Sequence, residues 1–136
     1  MKIKKLISFI NIFLFCILLS TANTFAVEGA KGIIKERMDK FKESKQLMKK
    51  INVGLQNDNF KVIEESAQML LLWSKEMPKF FPNGSDISPS EASSDIWLNP
   101  EGFNEAIKNF ELASLDLINQ SNTNDRDKTI NAFRNL

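Results

Sequence analysis

The chain has 136 residues, 18 basic and 17 acidic side chains, no histidine and one cysteine. This near-neutral balance gives no electrostatic footprint for nucleic acid. Without histidine, no Ser-His-Asp or Cys-His catalytic arrangement exists, and neither do zinc sites of the usual His/Cys kind. Glu-x-x-His pairs for a di-iron bundle and a glycine-rich phosphate loop are also missing, so the expectation is a protein that is not an enzyme.

Lys2, Lys4 and Lys5 precede a mostly apolar run at 6–19 and a small-residue stretch closing with Thr24-Phe25-Ala26. That order is the pattern of a secretory signal peptide spanning 1–26. A membrane anchor is disfavoured by length. Fourteen helical residues reach about 21 Å, short of a hydrocarbon core of ~30 Å. Bulky Phe15 before Cys16 argues against lipidation. Cleavage after Ala26 removes Cys16 and three lysines, leaving 15 basic against 17 acidic residues, a net charge of −2. The remaining 27–136 has the size of one domain. It carries no disulfide, although an exported compartment would permit one, and no membrane association is expected once the leader is gone.

Four helical patterns follow. In the first, at about 29–55, Ile34, Met38, Phe41, Met48, Ile51 and Leu55 recur at steps of three, four and seven, which is one apolar stripe. In the second, at about 58–80, Phe60, Ile63, Ala67, Leu70, Ser74, Met77 and Phe81 alternate threes and fours. Asn57 or Asp58 is its expected cap, and Leu72 and Trp73 widen the stripe. The stretch 82–99, rich in Pro, Gly, Ser and Asp, is loop chemistry and long for a connection. Ile87, Ile96 and Trp97 are its expected anchors. The third helix starts on Asn99 as N-cap, with Pro100 at the first helical position and Glu101 at the positive helix end. Its stripe is Phe103, Ile107, Phe110, Ser114 and Leu117. A polar turn at 119–124 leads to a fourth pattern carrying Ile130, Phe133 and Leu136. No strand alternation appears. The expected fold is all-α: an antiparallel four-helix bundle with a long loop between helices 2 and 3 and a truncated fourth helix. Eleven phenylalanines and no tyrosine are read first as core and only second as a lining for a planar apolar ligand.

Three local patterns add to this. Arg37 with Phe41 one turn on, "KFFPNGS" at 79–85 and "DIWLNPEGF" at 95–103 occur in an order and spacing that resemble the cytochrome c′ family, the class II c-type cytochromes. The resemblance covers about 32–136. It implies a periplasmic four-helix bundle with one haem c. That haem is bound through a Cys-x-x-Cys-His motif on the last helix, whose histidine ligates the iron. The motif is missing here, and the fourth pattern breaks off in an amphipathic turn. Both observations lead to the expectation of a C-terminally incomplete chain, with the motif several residues beyond Leu136. Leaving three large apolar side chains uncovered forfeits about 5–9 kcal/mol at roughly 1.5–3 each, against a domain stability of about 5–15 kcal/mol. A loose globule is therefore expected of the chain as given.

Residue by residue, the resemblance implies that Arg37 lies by a haem propionate and that Phe41 faces the sixth iron site. Phenylalanine has no lone pair, so the implied iron is five-coordinate and open to small gases such as nitric oxide. A shift by one residue would bring Met38 or Met48 near the iron instead, as in electron-transfer members. Trp97 and Phe103 are candidates for packing near the haem, with loop anchoring the equal alternative. The implied partners are a periplasmic redox protein or a gas ligand, and the family's habit of pairing through its first two helices implies a homodimer. The competing expectation is a haem-free periplasmic helical module whose exposed stripe binds a partner or peptide.

Overall fold

Five helices, and no strand, make up the described part of the chain: the computed structural model describes residues 30–136. The expected signal peptide lies outside the described residues. Helix α1 spans Gly32–Gln56, α2 Phe60–Glu76, and a 3-10 turn, Met77–Phe80, continues α2. A four-residue helix α3, Asp95–Leu98, sits inside the long loop. It is followed by α4, Pro100–Ser121, and α5, Arg126–Arg134. The protein is an all-α helical bundle. The most extensive packing joins α2 to α4 and α1 to α2, α5 leans mainly on α4, and its contact with α1 is slight.

Local chemistry accounts for the boundaries. Asn99 accepts from the amide of Gly102 at 3.1 Å and caps α4, with Pro100 following as expected. A Cβ at Gly102 would stand 2.6 Å from Asn99 Nδ2, so a larger residue there would press on the capping side chain. The cap of α2 is Asn59, accepting from Val62 at 3.2 Å, rather than the expected Asn57 or Asp58. Asp58 takes a positive φ of 50° in the connecting turn, which moves the cap one residue on. Asp125 caps α5 through the amide of Lys128 at 3.1 Å. Pro78 converts the end of α2 to a tighter turn instead of ending it, since its missing N–H falls at the start of the 3-10 segment.

The core has two parts. The lower cluster joins Leu47, Ile51 and Leu55 of α1 to Ile63, Ala67 and Leu70 of α2, Leu117 and Ile118 of α4, and Ala132 of α5. The upper cluster is built on Trp73, Met77, Phe81 and Ile107. On α5 the fully buried face is Thr129 and Ala132, while Ile130, Phe133 and Leu136 pack half-buried beside the lower core. Small side chains occupy the closest approach, and the large ones flank it.

Three stripe positions and one loop anchor are corrected. Met38 and Phe41 are about half exposed, and Arg37 takes the buried position beside Ile34. Leu72 is 63% exposed and does not widen the α2 stripe. Ile87 is equally exposed and is no anchor, because polar contacts rather than its side chain hold the loop. Ile96 and Trp97 do pack on the upper cluster, as expected.

Candidate functional site

At the level of the upper cluster, α1, α2 and α4 leave an open, almost wholly apolar slot. Its walls are Phe41 of α1, Trp73 of α2, Met77 of the 3-10 turn, and Phe103, Ile107 and Phe110 of α4; small Ser44 and Ala106 leave room between them. The cavity measures about 260 Å³, just under the about 300–1,000 Å³ of small-molecule sites. The positions follow from helix periodicity. Phe103, Ile107 and Phe110 share one face of α4 at steps of four and three, and Trp73 and Met77 stand one turn apart.

The rings form a connected set. Phe41 meets Trp73 edge-on at 5.6 Å, and Trp73 meets Phe80 at 5.1 Å. Phe81 lies behind the slot and touches Phe41 at 6.3 Å, Phe103 at 5.0 Å and Trp97 at 6.1 Å. All but the tilted Phe81–Trp97 pair are the edge-to-face arrangements that aromatic quadrupoles favour. The buried indole N–H of Trp73 meets no oxygen or nitrogen acceptor among the described residues.

Phe41 and Phe103, two of the four residues singled out from the sequence, line the slot. Trp97 does not; it donates from Nε1 to the carbonyls of Phe81 and Pro82 at 3.2 and 3.1 Å and ties the loop down. Arg37 is 3% exposed, and its guanidinium lies 4.5 Å from the centre of the Phe81 ring. Burial lowers its pKa, yet a guanidinium stays protonated across the physiological range. Phe81 touches all four of these residues. The sequence showed it as one more stripe position; only the turn at Pro78 brings it under Arg37 and against Phe103. Met38 and Met48 do not line the slot. Met38 borders a separate cavity with Arg37 and Ser90, and Met48 packs on the lower core. Met77 is the methionine that faces the slot, and its place in the α2 stripe was the available signal.

A bundle of amphipathic helices around an apolar slot is the class of architecture that builds cofactor sites between facing helices. The family model described as Cytochrome C' matches residues 32–136. The chain belongs to the cytochrome C' family, a family of c-type haem proteins, and haem c is the cofactor that membership implies. No curated protein and no solved structure matches the chain.

The residues present fit that group only in part. The slot walls suit the face of a flat apolar macrocycle. The donor set does not suit attachment: the chain has no histidine, its single cysteine is Cys16, and no metal-holding cluster of His, Cys, Asp or Glu occurs among the described residues. Haem iron is ordinarily held by imidazole, thiolate, thioether or phenolate, and the Met77 thioether is the sole such donor lining the slot. No ligation or redox step is derived from these residues.

Proposed function

We propose that this protein works as a periplasmic c-type haem protein that binds a small gas such as nitric oxide, with electron transfer to a periplasmic redox partner as its other use. The observation behind this reading is the apolar aromatic slot in a bundle of the cytochrome C' family. Phe41 on its rim supplies bulk and no lone pair, which suits an iron with a free or sterically guarded sixth position. The basic and apolar leader at 1–26 supports export. No helix among the described residues is long and apolar enough to cross a membrane.

The test is to express the gene in full in a host that matures c-type cytochromes, and to record the absorbance of the reduced product. A coloured protein with a high-spin, five-coordinate spectrum that changes on adding nitric oxide supports gas binding. A low-spin, six-coordinate spectrum refutes the role given to Phe41 and favours electron transfer. A colourless, folded product refutes the haem reading. It would favour a haem-free binding module.

A further inference from the structure

We infer that Arg37 is a positioning residue, a clasp that fixes the 80–90 segment onto α1 and so holds Phe81 behind the slot residues Phe41 and Phe103, and that it is not a docking point for a ligand carboxylate. Its two terminal nitrogens make four hydrogen bonds. Nη1 donates to the Phe80 carbonyl at 2.9 Å and to Ser85 Oγ at 3.0 Å. Nη2 donates to the Ser85 carbonyl at 2.8 Å and to Ser90 Oγ at 2.7 Å. A planar guanidinium presents four such terminal N–H groups in a rigid fork, and each has a partner.

The acceptors lie 43 to 53 residues further along the chain, so the clasp joins distant segments. Arg37 makes no ion pair among the described residues; it meets neutral oxygens and the faces of Phe81 and Trp97, at 4.5 and 6.0 Å, and borders the cavity that it shares with Met38, Ser90 and Glu91. Phe81 is held between this cation and the rings of Phe41 and Phe103. A ligand carboxylate taking these N–H groups would have to break bonds that hold the loop, and the Ser85 acceptors would be left in a buried site, which is costly.

That the slot takes a ligand rests on the proposed function; the clasp itself does not. The test uses the full chain without any cofactor. In wild-type protein, NMR of the Arg37 guanidinium should give four separate, slowly exchanging Hη signals, unmoved by added propionate ion. The loop amides of 81–92 should exchange about tenfold faster or more in Arg37→Lys and Arg37→Gln, while α2 and α4 amides stay protected. A Ser85→Ala/Ser90→Ala double variant should fall between. One averaged, fast-exchanging Hη signal, a shift on adding propionate, or unchanged loop exchange in Arg37→Lys would overturn the inference. Haem binding tests the slot and leaves these readouts untouched, so the two readings fail separately.

Discussion

Phe81 gives the sharpest test of the packing behind the slot. The side chain is 9% exposed and meets three rings and one guanidinium. Truncation to alanine removes a buried ring and leaves a cavity, for which about 3–5 kcal/mol is typical. That is a large part of the about 5–15 kcal/mol that a domain has, so Phe81→Ala should melt early or not fold. Leucine keeps most of the volume and isolates the ring contact. Phe81 and Phe103 stand 5.0 Å apart with planes at 67°, a geometry worth about 0.5–1.5 kcal/mol beyond area. A urea double-mutant cycle of Phe81→Leu and Phe103→Leu should therefore show a coupling of that size, with Phe81→Leu and Leu72→Ala additive as the control. Coupling within the ~0.3–0.5 kcal/mol of independent sites would show that the rings do not meet as described and would remove Phe81 as the link between Arg37 and the slot.

Two further predictions concern the lower bundle. At Gly54 an added Cβ would stand 2.8 Å from Ile63 Cγ1, itself fully buried. Gly54→Ala should therefore lose about 1 kcal/mol net, overpacking of about 1–3 kcal/mol outweighing the roughly 1 kcal/mol gained in helix propensity; a higher urea midpoint would contradict the close α1–α2 approach. Asp125 has its pKa lowered by the hydrogen bond from the Lys128 amide, then by the Lys128 side chain, from an ordinary 3.8. A lowered folded-state value means that stability is present above pH 3.8 and lost as pH falls through the folded value. Thermal melts should show this loss in wild-type protein and not in Asp125→Asn, and identical pH profiles would refute it.

Much of this fold was legible because α2 and α4 carry long, regular stripes and α4 has an unambiguous start at Asn99-Pro100. Helix α1 was read less well. Its stripe counted Met38 and Phe41 as core, because periodicity scores apolarity and cannot show that a charged neighbour is buried. Arg37 is inside only because Phe80, Ser85 and Ser90 return to it from far along the chain, and no local pattern encodes that return. For the same reason the serines that help hold the loop were not foreseen beside Ile96 and Trp97, while Ile87, the third expected anchor, is exposed. The slot was half legible. Phe41 and Phe103 were found through a resemblance, whereas Trp73 and Met77 were visible as stripe positions without a sign that one side would be left open.

That opening has a physical origin in the α2–α4 seam. Ser74 and Ser114 are fully buried, on the two helices that pack most extensively. Each hydroxyl bonds back to its own helix, Ser74 to the Leu71 carbonyl and Ser114 to that of Phe110, both at 2.8 Å. Such back-bonding satisfies the donor without a cross-helix partner, so these serines act as small spacers that let the helices close. Above them the side chains become aromatic, and the slot begins. Ser114→Ala should then change stability by less than about 0.5 kcal/mol, the range of substitutions that touch no special feature. Ser114→Leu should cost about 1–3 kcal/mol by overpacking, read from urea midpoints. A leucine tolerated as well as an alanine would mean that the seam is not closely packed, and that the narrowing which leads from the lower core to the slot does not exist.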